Sequence, residues 1–127
     1  MEFINHVPNV PIAVGPYSQA IKHGGLLFCS GQIPIVTSAG KIEASDIEGQ
    51  TRQVLTNLSV LLASQGLAMT NVIKATVFLV DMADFTKVNP IYEEAFRGHK
   101  PVRSTVAVSG LPMGALIEIE VIAALLN

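Results

Sequence analysis

Val72-Ile73-Lys74-Ala75-Thr76-Val77-Phe78-Leu79-Val80 decides the fold reading. The run is rich in β-branched and aromatic residues, so it predicts a central strand. Helical patterns flank it on both sides. Upstream, Ser45-Asp46-Ile47-Glu48 has the form of a capping box, in which the Ser45 hydroxyl and Glu48 carboxylate satisfy free N–H groups at a helix start. Ile47, Val54, Leu55, Leu58, Leu61 and Leu62 then keep helical spacing, and Gly66 supplies the stop. Downstream, Asn89 as N-cap and Pro90 at the first helical position predict a second helix, with Ile91, Ala95 and Phe96 on its core face and Gly98 at its end.

Shorter strands complete the pattern. Gly25 to Ser30 reads as a strand entered from a His23-Gly24-Gly25 turn, and Tyr17 to Lys22, after the Gly15-Pro16 turn, reads as its partner. Arg103 to Ser109 and Ala115 to Leu125 read as two final strands joined through Gly110-Leu111-Pro112-Met113-Gly114. No repeat, linker or shift of composition divides residues 1–127, so a single domain is expected. The order β, α, β, α, β, β predicts an α+β sandwich, a mixed sheet with two helices on one face.

Alternation along the last strands places Arg103, Thr105 and Ala107 on one side and Ser104, Val106 and Val108 on the other. A symmetric final hairpin would set Thr105 opposite Glu118 and Arg103 opposite Glu120, all on the face away from the helices. On residue pattern alone, that cluster reads first as a cross-strand ion pair on a solvated surface.

Composition narrows the function. Charged residues are 14% of the 127, against roughly 25% in an average soluble protein, while apolar residues make up 50%. Eighteen charges cover a small domain thinly, which predicts apolar surface buried between subunits. The longest apolar run, Val121 to Leu126, is far below the roughly 20 residues of a spanning helix. The first residues carry no basic segment followed by an apolar stretch, so a cytoplasmic location, or an organelle matrix, is expected. A single cysteine, Cys29, fits a reducing compartment and reads as a small buried hydrophobe. His6, His23 and His99 have no metal-ligand spacing, and no metal or cofactor is expected. A net charge of −2 and a pI near 5.8, with basic residues scattered apart from Arg97 to Arg103, argue against nucleic-acid binding.

Six segments, in order, carry a resemblance to a known family: Gly15-Pro16-Tyr17-Ser18-Gln19-Ala20, Ser30-Gly31-Gln32-Ile33-Pro34, Lys74-Ala75-Thr76-Val77-Phe78-Leu79, Val88-Asn89-Pro90-Ile91-Tyr92, Pro101-Val102-Arg103-Ser104, and Ile117-Glu118-Ile119-Glu120. Over nearly its whole length the chain resembles the Rid/YjgF family, the reactive intermediate deaminases, once described as translation inhibitors or endoribonucleases. The resemblance implies a chorismate-mutase-like α+β unit that forms a homotrimer, its sheets making a central barrel and its sites lying between subunits. It implies hydrolysis of 2-imino acids such as 2-iminobutanoate and 2-iminopropanoate to 2-keto acids and ammonia.

Arg103 matches the family's substrate-binding arginine, whose planar fork of donors fits a carboxylate. Glu118 matches the glutamate that orients or activates the attacking water. Tyr17, Ser30 and the Gly31 backbone match positions lining the pocket from the adjacent subunit. Where typical deaminase members carry Cys, this chain has Thr105. A role for the backbone N–H at that position survives the change, whereas a role for the thiol does not. Without the motif, Tyr17 reads as an anchoring aromatic, and Asn89 reads equally as a helix cap or a pocket residue. Glu120 is assigned outside the catalytic set. A keto acid binding or regulatory module without turnover is the alternative.

Overall fold

The computed structural model describes residues 1–126. Its longest element is α1 (Ile47–Ser64), whose Val54, Leu58, Leu61 and Leu62 are fully buried. The cap differs from the expected box by one residue. Asp46 holds the N-cap, its carboxylate accepting from the Gly49 N–H at 3.3 Å. At the other end Gly66 takes the left-handed conformation (φ +73°) that suits glycine.

Eight strands, β1 (Glu2–Ile4), β2 (Ala20–His23), β3 (Leu26–Cys29), β4 (Ile35–Val36), β5 (Lys41–Ile42), β6 (Val72–Leu79), β7 (Val102–Ala107) and β8 (Ile117–Ala124), accompany α1 and α2 (Phe85–Phe96). Six form one mixed sheet in the order β1-β2-β3-β8-β6-β7, and β4 and β5 pair separately. The expected β2–β3 pairing is present, with Ala20 opposite Cys29, although β2 begins at Ala20 and not at Tyr17. The fold is therefore the predicted α+β class. The small β1 strand and the β4–β5 hairpin are additions that the sequence pattern did not indicate.

Two expectations are corrected. First, α2 starts at Phe85, not at Asn89, and Pro90 lies inside it. Proline there removes the N–H that would bond the Thr86 carbonyl. Pro90 and Thr86 are both exposed, so water can satisfy that carbonyl. Second, the final two strands do not form a hairpin. β7 pairs in parallel with β6, with Arg103 opposite Ala75 and Thr105 opposite Val77, and α2 is the crossover between them. β8 lies on the other side of β6, antiparallel to it, with Glu118 opposite Phe78 and Glu120 opposite Thr76. A 3-10 turn at Pro112–Gly114, with Met113 at φ 58°, carries the chain across.

The new register reassigns the faces. Ala75, Val77 and Leu79 of β6 and Ile117, Ile119 and Val121 of β8 are buried against the helices. Arg103 and Thr105 align with that helix-facing set, whereas Glu118 and Glu120 align with Phe78 and Thr76 on the open face. The expected cluster of Arg103 with both glutamates on one face does not exist within the chain. The same open face carries a row, Phe3-Ile21-Phe28-Ile122, in register across four strands. Phe3 and Phe28 are exposed within it.

Candidate active site

The candidate residues fall into two groups. The first is built where the chain leaves β3. Gln32 and Ile119 exchange backbone hydrogen bonds (2.8 and 3.1 Å), which lays Ser30 and Gly31 beside Glu118 of β8. The contact is close enough that a methyl group on Gly31 would sit 2.5 Å from Glu118 Oε2, so only glycine admits the carboxylate in this position. Ser30 donates its hydroxyl to the Ser18 carbonyl at 2.5 Å and its N–H to the Gln19 carbonyl at 2.9 Å. Tyr17 sits above the same hollow, its hydroxyl accepting from the Val14 N–H at 3.3 Å. Its ring is half exposed.

Tyr17, Ser30, Gly31 and Glu118 together line a cavity of about 170 Å³, closed on other sides by Gln19, Gln32 and Met113. Burial pushes the Glu118 carboxyl above its ordinary range, and the nearby Glu120 charge pushes it further the same way. At neutral pH such a carboxylate is a stronger base than a solvated one. Gln19 fixes the rim. Only 2% exposed, it accepts from the Val7 N–H at 3.0 Å and donates to the Pro11 carbonyl at 2.8 Å.

The second group surrounds Arg103, between β7 and α2. Arg103 Nη1 donates to Asn89 Oδ1 at 3.0 Å. The guanidinium carbon lies 4.8 Å from the Tyr92 ring centre and 5.4 Å from that of Phe85. A guanidinium has five N–H donors, and the Asn89 bond engages only part of that set. Arg103, Asn89 and Tyr92, with His99 and Lys100, line an open hollow of about 390 Å³. Thr105, two residues on, points to the same side. Its Oγ1 is buried without a hydrogen-bond partner, as is the Tyr92 hydroxyl.

The structure thus brings Tyr17, Ser30, Gly31 and Glu118 together, brings Arg103 and Asn89 together, and keeps the two groups apart. They sit on opposite faces of the sheet with β6 between their strands, and each strand step is about 4.8 Å. Sequence reasoning missed Gln19 and Gln32 as walls and Phe85 and Tyr92 as the bed of Arg103. The signal for the latter was present. Phe85, Asn89 and Tyr92 are spaced i, i+4, i+7, a helical face hidden by starting the helix at Asn89. Among the described residues no group of three or more His, Cys, Asp or Glu side chains could hold a metal ion, and no helix is long and apolar enough to cross a membrane. Cys29 is buried, and burial pushes its thiol up to about 12.

Comparison with known proteins places this geometry in context. The family described as Endoribonuclease L-PSP matches residues 7–125. A RutC family protein of Pyrococcus horikoshii is 50% identical over 97% of this chain and 98% of its own length. The chloroplastic Reactive Intermediate Deaminase A of Arabidopsis thaliana is 46% identical over 91% of this chain and 62% of its own. Among solved structures, Escherichia coli TdcF with bound serine superposes with a TM-score of 0.90 at 38% identity, covering 97% of this chain and 98% of that one.

Proposed function

The chain belongs to the Rid/YjgF family, also described as Endoribonuclease L-PSP, and from that premise we propose that it is a deaminase. It hydrolyses small 2-imino acids, such as 2-iminobutanoate and 2-iminopropanoate, to 2-keto acids and ammonia. Glu118 carries the reading. A carboxylate held over the Gly31 backbone at the wall of a small cavity, with its pKa raised by burial and by Glu120, is suited to take a proton from water.

Arg103 binds the substrate carboxylate through its free donors. Glu118 orients a water molecule and accepts its proton as the oxygen adds to the imine carbon. The C=N double bond becomes a single bond as Glu118 passes the proton it received to the nitrogen. When the carbinolamine collapses, its hydroxyl proton passes to the nitrogen, the C–N bond breaks, ammonia leaves and the keto group forms. Imine hydrolysis proceeds without catalysis, so positioning and one proton acceptor supply much of what is required. Tyr17, Ser30 and Gly31 shape the cavity around the reacting carbon. The backbone N–H of Thr105 is retained from the usual cysteine position.

Because Arg103 and Glu118 lie on opposite faces of one sheet, a site using both is completed by a second subunit. The homotrimer expected for the family supplies that arrangement, and the apolar row Phe3-Ile21-Phe28-Ile122 on the open face gives copies a surface to bury. A ribonuclease reading, which the family description carries, has little electrostatic support in a chain of net charge −2.

The test generates 2-iminobutanoate in situ with an amino-acid oxidase and traps surviving imine with semicarbazide. Wild type should accelerate keto acid release and Arg103→Ala should not. Equal release by the two proteins would remove the proposal, and keto acid binding without acceleration would favour a binding module.

A further inference from the structure

Helix α2 offers one face to Arg103. Phe85, Asn89 and Tyr92 are spaced i, i+4, i+7 and stand in line along the helix. All three reach the guanidinium: Asn89 through a hydrogen bond at 3.0 Å, Tyr92 and Phe85 through ring faces at 4.8 and 5.4 Å. A guanidinium over an aromatic face is attracted by the ring quadrupole, and it stacks with its planar fork directed outward. Tyr92 is itself fixed, 8% exposed, with its ring centre 4.5 Å from that of Phe96 in the core. The Tyr92 hydroxyl has no partner, so the ring and not the hydroxyl accounts for its place. The crossover that sets β7 beside β6 is therefore also the element that covers the Arg103 side chain.

We infer that Phe85, Asn89 and Tyr92 are positioning residues that hold the Arg103 guanidinium in one orientation for a carboxylate ligand. This rests on the deaminase reading for what the ligand is, but not for the clamp itself. An arginine free to sample several rotamers would have to be ordered on each binding event, and the clamp removes that cost beforehand. Since the carboxylate stays bound through the reaction, the clamp acts on ground state and transition state alike.

The experiment has two readouts. In steady-state turnover of the imino acid, Tyr92→Leu and Phe85→Leu should raise KM by about 3- to 30-fold with kcat nearly unchanged, while Tyr92→Phe, which keeps the ring, should match wild type. A purely structural role would lower kcat through the active fraction and leave KM in place. Independently of any substrate, the Arg103 Nε–Hε cross-peak in ¹⁵N-arginine-labelled protein, assigned by its loss in Arg103→Lys, should be displaced by ring currents in wild type and Tyr92→Phe. In Tyr92→Leu it should move toward the free-arginine position. Phe85 is half-buried, so Phe85→Leu carries the test should Tyr92→Leu not fold. Unchanged KM in both leucine variants, or an unmoved cross-peak, overturns the clamp even if Arg103→Ala abolishes turnover. A moved cross-peak in a protein without imine turnover leaves the clamp standing and removes the deaminase reading.

Discussion

Glu118 rests against Gly31 so closely that a Cβ on the glycine would lie 2.5 Å from Oε2 and 2.8 Å from Cδ. The contact is created by the Gln32–Ile119 bridge, which draws the segment after β3 onto β8. Gly31 has no positive φ, so alanine there meets no backbone penalty, only the carboxylate. Gly31→Ala should leave the far-ultraviolet spectrum and melting temperature close to wild type. Displacing the carboxylate by about an ångström should lower kcat by about 100-fold. An alanine variant with wild-type kcat would mean that the Glu118 position is not used in the reaction.

Glu118→Gln separates function from stability. Loss of the proton acceptor should reduce kcat/KM by about 100-fold or more. Stability should move the other way. The folded-state pKa of Glu118 is raised, so between its ordinary and raised values the folded protein holds a proton that the unfolded chain has released. Stability therefore falls as pH rises through that window. The glutamine variant escapes this loss, and its melting temperature at neutral pH should equal or exceed that of wild type. Melting curves at acidic and neutral pH read the difference, which should grow with pH.

The same carboxylate should set the acid limb of the pH–rate profile. Burial is the larger cause of its raised pKa and the Glu120 charge the second. Glu120→Gln removes only the second. The acid limb of kcat/KM should shift to lower pH in that variant and remain above the range of a solvated carboxylate. A limb that stays in place would exclude Glu118 as the titrating group.

Thr105 presents a buried hydroxyl with no partner. An unsatisfied buried polar atom costs about 1 to 3 kcal/mol, so Thr105→Val, which keeps the shape and the backbone N–H, should stabilise the fold by about 1 kcal/mol in chemical denaturation. Turnover should change by less than about threefold, since the variant retains every backbone group at the position. A large loss of kcat would assign the hydroxyl a part in the reaction.

Much of this arrangement was legible in the residues. Periodicity gave α1 and β6 because Leu58, Leu61 and Val77 are buried in proportion to their pattern. Alternation correctly separated Ile117, Ile119 and Val121 from Glu118 and Glu120. What alternation cannot give is a strand's neighbour. Gly110 to Gly114 has the composition of a hairpin turn, yet the chain crosses to the far side of β6, because β7 had already paired in parallel through α2. That single topological fact moved Arg103 to the helix face. At Asn89-Pro90 a good local start signal lost to tertiary packing, since extending α2 back to Phe85 lays Phe85, Val88 and Tyr92 against the sheet and Arg103. The Gly31–Glu118 contact, between residues far apart in sequence, has no local signature.

In the proposed site, Arg103 of one subunit works with Glu118 of another. Arg103→Ala and Glu118→Gln proteins, each inactive alone, should be co-expressed or unfolded and refolded together, and imine turnover measured. In a mixed oligomer some interfaces join an intact Arg103 to an intact Glu118, and random 1:1 assembly should restore about one quarter of wild-type activity. Mixed oligomers that form but remain as inactive as either parent would contradict the shared site.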